Sequence, residues 1–275
     1  PIRFRRIMIT MNKLKISLVT VTWNSARTIE DTLRSVLGQT YGNIEHIVVD
    51  GGSSDATMDI IRKYAGQYNS RGFELKWISE PDNGIYDAMN KGISFASGDV
   101  VGMLNSDDFF TYPTVLERVA DEFKAISQRQ ELDAVYGDIH YVNPERLDKC
   151  VRYYSSKAFS RTRMRMGFMP AHPSFYCRKE LYDKLGMYDI SFRIASDFEL
   201  LLRFIYIHRI RTKYLPLDFV TMRTGGTSTS GFSVHRKIYS EHMRAYKKNR
   251  IYSNFFMEAT RYLYKVIEIC RSNLS

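Results

Sequence analysis

From residue 15 onward, short runs of β-branched residues alternate with stretches whose apolar positions recur every three or four residues. Lys15 to Thr22 (KISLVTVT) has the pattern of a strand ending at Trp23-Asn24-Ser25, and Ile29, Leu33, Val36 and Leu37 then make one helical stripe. The unit repeats. Ile44 to Val49 runs into Asp50, with Ser54 or Asp55 placed to cap a helix through Met58, Ile61 and Tyr64. Phe73 to Ile78 leads through Glu80-Pro81-Asp82-Asn83-Gly84 into a helix bearing Tyr86, Met89 and Ile93, and Asp99 to Leu104 leads into Asn105-Ser106-Asp107-Asp108. Strands separated by helices predict a parallel, doubly wound α/β sheet, because parallel neighbours need crossover connections of helix size.

After residue 130 the alternation weakens. Leu132 to Val142 and Thr212 to Met222 read as strands, Arg178 to Leu185 and Ala195 to His208 as helices, and Arg223 to Gly231 as a loop rich in Gly, Ser and Thr. Two helices, at 233–248 and 251–270, follow. The pattern divides the chain into an N-terminal extension (1–14), a domain of two lobes (15–130 and 131–230) and a C-terminal helical extension (231–275). Within that extension Ile251, Phe255, Phe256, Tyr262, Leu263, Val266, Ile267 and Cys270 recur near a period of 3.6, a stripe that packing, a homodimer contact or a membrane surface would cover.

The composition, 44% hydrophobic and 25% charged over 275 residues, excludes disordered and fibrous classes. A formal charge of +10 attracts anionic partners such as nucleic acid, lipid surfaces or phosphorylated small molecules. It sits mainly in Arg3, Arg5 and Arg6, in Arg161, Arg163 and Arg165, and between Lys237 and Arg250. No helix-turn-helix, zinc or RNA-binding motif supports a nucleic-acid partner. Three cysteines without CxxC spacing imply neither disulfides nor structural zinc and suit a reducing cytoplasm. No apolar run is long enough to span a membrane, and the basic start lacks the form of a signal peptide; Met11 is a candidate initiator because a strand begins just after it.

Candidate chemistry gathers where the strands end. Trp23-Asn24, Asp50-Gly51-Gly52 and Asn105-Ser106-Asp107-Asp108 all fall at the carboxyl ends of apolar strands, beside which open α/β sheets bind ligands. Adjacent strand-end residues face opposite ways, so one of Asp107 and Asp108 meets a ligand, an arrangement suited to a cation bridging a diphosphate. Each cluster also has a plainer reading: a helix cap for the acids, a tight turn for Gly51-Gly52, a surface brace for Asp87 and Lys91. Asp82 and Lys91 are within reach of a nucleotide at the same rim. Asp197 and Glu199, two apart at a helix start, do not share a face, and His172-Pro173-Ser174 is a loop histidine whose ordinary role is structural.

Taken in order, Ile16 to Asn24, Val48 to Asp55, Glu80 to Gly84, Asn90-Lys91-Gly92, Ser97-Gly98-Asp99 and Leu104 to Asp108 closely resemble the family-2 inverting glycosyltransferases of the GT-A fold, with His172-Pro173-Ser174, Ser196-Asp197 and Gly225 to Ser228 resembling that family's acceptor-side elements. The resemblance implies a GT-A, Rossmann-like, mostly parallel twisted sheet with helices on both faces. It implies metal-dependent transfer of a sugar, hexosyl in type, from a nucleoside-diphosphate sugar to a hydroxyl of a glycan or lipid-linked glycan, in cell-surface polysaccharide or glycolipid biosynthesis, by an enzyme in the cytoplasm or peripheral on the inner face of the membrane. Thr22, Trp23, Asn24, Asp82, Lys91, Asn105, Ser106 and Arg223 would hold the donor, Asp50 its base, and Asp107 an Mg2+ or Mn2+ ion. Asp197 would be the catalytic base, with His172 and Glu199 on the acceptor side. The chain departs from the family in carrying Asn105 at the first Asp of Asp-x-Asp, and Ser196 before Asp197. A sugar nucleotidyltransferase is the alternative enzyme, although Trp23 to Arg27 lacks the glycine-rich basic loop expected of one.

Overall fold

The computed structural model describes residues 13–125, 132–225 and 232–261, with side chains in the last stretch from residue 234. The front half builds β1 (Ile16–Thr22), α1 (Ile29–Leu37), β2 (Ile44–Asp50), α2 (Thr57–Arg71), β3 (Glu74–Ser79), α3 (Ile85–Phe95) and β4 (Val100–Met103). Then come β5 (Phe109–Phe110), α4 (Val115–Ala125), β6 (Ala134–Asn143), β7 (Arg146–Tyr154), β8 (Tyr176–Arg178), α5 (Lys179–Leu185), α6 (Ser196–Leu201), β9 (Thr212–Arg223) and α7 (Phe232–Lys248). Among the described residues the strands form one sheet in the order β3-β2-β1-β4-β8-β6-β9-β5, with β7 paired to β6.

The first four strands in that order are parallel, as their helical connections require, and β8 joins antiparallel to both β4 and β6. All seven residues of β1 are buried because both faces of the sheet are covered. Ile16 and Leu18 pack with α1, α2 and α4 on one side, while Val19 and Val21 pack with α3, α6 and α7 on the other. At Gly102 in β4 a Cβ would stand 2.2 Å from the Tyr176 ring, so the absence of a side chain lets β4 and β8 close over the core.

Three strands escape the hydrophobic pattern. β5 has two residues, β8 has three and ends at Arg178, where the expected helix begins, and β7 (RLDKCVRYY) is a mostly exposed, charged hairpin partner of β6. The helix expected over Ala195 to His208 is instead α6 followed by a π-helical turn, Leu202–Ile207, a widening that apolar spacing does not register. The helix expected over 251–270 is present at 255–261, and Tyr262, Leu263, Val266, Ile267 and Cys270 lie outside the described residues, as do residues 1–12 and most of the loop before Gly231. Among the described residues no helix is long and apolar enough to cross a membrane.

Opposite the polar rim, Glu45 ties the strands together. Its buried carboxylate accepts from the Ser17 hydroxyl (2.6 Å), from the Ser97 amide (2.8 Å) and hydroxyl (2.7 Å), and from the Lys76 ammonium, linking β2 to β1, β3 and the turn before β4. Burial alone would raise its pKa; Lys76 and the serine donors instead hold it down, from 4.5 to about 2. The stabilisation is therefore complete above pH 4.5 and is lost as pH falls toward about 2. Glu45→Gln should lower stability at neutral pH and flatten its fall across that interval, measured by urea unfolding at a series of pH values.

Candidate active site

The parallel register brings the ends of the strands into line. Thr22 of β1 lies beside Asp50 of β2, which lies beside Ser79 of β3, while Val19 pairs with Met103 of β4. A cleft of about 880 Å3 opens at this rim and runs toward the second lobe. It gathers Thr22, Trp23, Asp82, Asn105, Ser106, Asp107, His172, Asp197 and Arg223. Asn24, Asp50, Lys91 and Glu199, singled out from the sequence, do not line it.

Those four have other partners. Asn24, at φ 49°, accepts the Ser54 amide (2.9 Å) and donates its own amide to Ser53 Oγ (2.7 Å), fixing the turn behind Trp23. The fully buried Asp50 accepts from the Ser53 amide (2.9 Å) and from the hydroxyls of Ser53 and Ser79. Lys91 pairs with Glu80 (2.8 Å) more closely than with Asp87 (4.0 Å) and donates to the Pro81 carbonyl. Glu199 is buried away from the cleft against Arg203 (3.1 Å) and Lys248 (3.0 Å), which together with Asn249 hold its carboxyl below its ordinary range despite burial. Its place is structural.

At this rim the two adjacent acids separate, although they lie in the turn between β4 and β5 and not at the end of a strand as the sequence suggested. Asp108 turns inward to complete burial near the Asn105 amide, and burial together with the Asp107 charge raises its pKa well above the usual carboxylate range. Asp107 lines the cleft; burial raises its pKa and Arg223 opposes the shift. Arg223 donates to the Asp107 carbonyl (2.5 Å), pairs with Asp31 and lies over the Phe109 ring, so β9 braces the acidic loop. Thr22 Oγ1 and Asn105 Oδ1 are buried without a partner among the described residues, acceptors left for something bound in the cleft. No three His, Cys, Asp or Glu side chains converge there among the described residues. A cation held at Asp107 would therefore draw most of its shell from diphosphate and water, as Mg2+ and Mn2+ commonly do. The neutral Asn105 fits that arrangement as an oxygen donor without charge. Asp82 accepts the Gly84 amide (2.8 Å) and lies so near Gly51 that a Cβ there would come within 2.6 Å of its carboxylate.

Across the cleft Asp197 is half-buried in the first turn of α6. Its Oδ1 accepts from the Phe198 amide (2.8 Å) and the Tyr86 hydroxyl (3.2 Å). Tyr86, stacked on Tyr188, also reaches the Ile194 carbonyl (2.6 Å). Burial and the Asp197 charge push its phenol well above its ordinary pKa, so it stays a donor. His172 bonds Tyr188 Oη (2.6 Å), and burial lowers its pKa, keeping the imidazole neutral. The rest of this side mixes aromatic and apolar residues, Tyr141, Tyr154, Phe168 and Met169, with Arg152 and Arg193. Tyr86 fell into the apolar stripe of α3 and reads from sequence as core; the aromatic wall comes from β6, β7 and the loop after them, where no motif marks it.

The family model for glycosyl transferase family 2 matches residues 17–193, which carry most of this rim. The chain belongs to glycosyl transferase family 2. It is 38% identical over 191 residues to an uncharacterized glycosyltransferase of Mycobacterium tuberculosis, covering 68% of each chain, and 29% identical over 199 residues to a PGL/p-HBAD biosynthesis glycosyltransferase of Mycobacterium bovis, covering 72% of this chain and 73% of that one. In solved structures its fold is similar to the mannosyltransferase PcManGT of Pyrobaculum calidifontis in complex with GDP-Man and Mn2+ (TM-score 0.64, 17% identity, 95% of this chain and 74% of that one). It is also similar to S. aureus TarS 1-349 in complex with UDP-GlcNAc (TM-score 0.61, 20% identity, 83% and 66%), and it spans 39% of a longer TarS chain. The family 2 chain is thus a glycosyltransferase of GT-A fold, and the nucleotidyltransferase alternative is set aside. Asp197 and α7 lie beyond the stretch that the family model matches.

Proposed function

We propose that this family 2 transferase is metal-dependent and inverting, moving a hexosyl group from a nucleoside-diphosphate sugar to a hydroxyl of a glycan or lipid-linked glycan. The observation that carries the reading is the shared cleft: Asp107 on the donor rim and Asp197 on the opposite wall face one space of about 880 Å3. A bound Mg2+ or Mn2+ would neutralise charge on the departing diphosphate. Trp23 and Asp82 flank the donor end, Thr22 and Asn105 offer it their unpartnered oxygens, and Ser106, bonded to Ser25 (2.9 Å), stiffens that wall. Asp197, oriented by Tyr86, takes the proton of the attacking hydroxyl. A single displacement with one base inverts the anomeric centre. The aromatic wall suits the apolar faces of a glycan, and the name of the mycobacterial relative supports a role in glycolipid biosynthesis.

Calorimetry with uridine, guanosine and thymidine diphosphates should find at least one that binds with Mn2+ or Mg2+ and binds more weakly in chelator; equal binding in chelator would remove the metal from the reading. Asp107→Ala should weaken that metal-dependent binding. Asp197→Asn should leave it intact and slow transfer by roughly 10²–10⁴-fold; full transfer by that variant would exclude Asp197 as the base.

The same reading places the enzyme at an anionic membrane. Tyr252 (67% exposed), Phe255 (61%) and Phe256 (80%) stand out beside the exposed Lys247 and Arg250. Aromatic rings with nearby cations are suited to the headgroup region. The full chain should float with anionic liposomes at low salt and less so at high salt, and Phe255→Ser with Phe256→Ser should reduce flotation; no flotation at low salt would leave packing or a homodimer to cover the helix.

A further inference from the structure

We propose that Glu241 of α7 is a positioning residue for the base at Asp197, which makes the C-terminal extension part of the transfer machinery. The inference rests on reading Asp197 as the base. Glu241 Oε1 accepts the Arg193 amide, and its Oε2 accepts the amides of Ile194 and Ala195, each at 2.9 Å. Three successive N–H groups converge on one carboxylate, bonds strengthened by its charge. The segment is held from two further directions, by the Tyr86 hydroxyl on the Ile194 carbonyl (2.6 Å) and by the Ser196 hydroxyl on the Asp189 carbonyl (2.9 Å).

The next residue of α7 holds the other flank. His242 lies flat on Phe198, with ring centroids 3.8 Å apart and planes 7° from parallel. It is fixed in turn by Glu258 (2.9 Å), which also accepts the Tyr246 hydroxyl (2.8 Å). Glu241 and His242 thus grip residues 193–195 and 198, on either side of Asp197. Of the hydrogen bonds to the Asp197 carboxylate among the described residues, one comes from Phe198 N, which that grip holds, and the other from Tyr86 Oη, which also meets the Ile194 carbonyl of the gripped segment. Glu241 itself does not line the cleft, whereas Arg193, Ile194 and Ala195, which it holds, do. Its influence falls on where the base stands relative to the attacking hydroxyl, and a displacement of about 1 Å there costs roughly 10²-fold in rate.

The test uses the full chain carrying Glu241→Ala, Glu241→Gln, Asp197→Asn, and Glu241→Ala combined with Asp197→Asn. Release of nucleoside diphosphate is followed with the donor that calorimetry identifies, UDP-GlcNAc and GDP-Man being tried first. Glu241→Ala should lower kcat by roughly 10- to 100-fold. Affinity for the nucleoside diphosphate with Mn2+ should stay within about two-fold, and the combined variant should be no slower than Asp197→Asn alone, because a mispositioned base matters only while there is one. Glu241→Gln keeps one oxygen acceptor and should fall between wild type and Glu241→Ala; if the alanine variant does not fold, a kcat loss in the glutamine variant that vanishes in the Asp197→Asn background carries the proposal. Unchanged kcat, a loss that adds to that of Asp197→Asn, or a parallel loss of nucleoside diphosphate affinity would overturn it. Full activity in Asp197→Asn overturns the base reading itself, whereas a slow Asp197→Asn beside a fast Glu241→Ala overturns only the role of Glu241.

Discussion

Everything at the cleft depends on the parallel alignment of β1 with β2 and β4. Parallel strands place their carboxyl ends at one rim, so three polar segments separated by about thirty residues or more in the chain become neighbours without any contact between their side chains having to assemble them. Glu45 secures this alignment from the opposite end through Ser17, Ser97 and Lys76. Because one buried carboxylate satisfies donors from several segments at once, a shift of any strand would leave a charge or a donor without its partner.

The acids of this protein divide by what surrounds them. Asp50, Glu199 and Glu258 are buried among donors and serve as anchors, and Asp108 is fully buried, which together with the Asp107 charge raises its pKa. Asp107 and Asp197 reach the cleft. Arg223 gives the acidic loop its brace from β9, so the acidic rim is completed by the second lobe although its acids belong to the first. The wall at Asp197 is built likewise by elements distant in the chain: Tyr86 from α3 and Glu241 from α7 meet on the segment before Asp197.

Local pattern was enough to read β1 to β4 and the helices between them, because strands buried on both faces are continuous apolar runs and their connecting helices carry clear stripes. It was also enough to place polar clusters at strand ends, and Thr22, Trp23, Asn105, Ser106 and Asp107 do line the cleft. The divergence of Asp107 and Asp108 is not the strand alternation expected of them, because both lie in the turn between β4, which ends at Met103, and β5, which begins at Phe109. What sequence determined is therefore what alternation and periodicity encode: strand, helix, the side of the sheet each residue faces, and which end of a strand is polar.

Tertiary structure decided the rest, since it depends on partners remote in the chain. Asp197 and Glu199 are both carboxylates at a helix start; Arg203, one turn on, pairs with Glu199, and the arrival of Lys248 and Asn249 completes its anchor while Tyr86 and the open cleft leave Asp197 accessible. Tyr86 satisfies the α3 stripe equally as core or as site, because periodicity records the side of a helix and not what the hydroxyl meets. Glu241 reads as an ordinary polar residue of α7 until three amides from residues 193–195 close on it. Nothing local marks such a residue: a carboxylate acquires its role from the donors that folding brings to it, and those donors lie about fifty residues away in the chain.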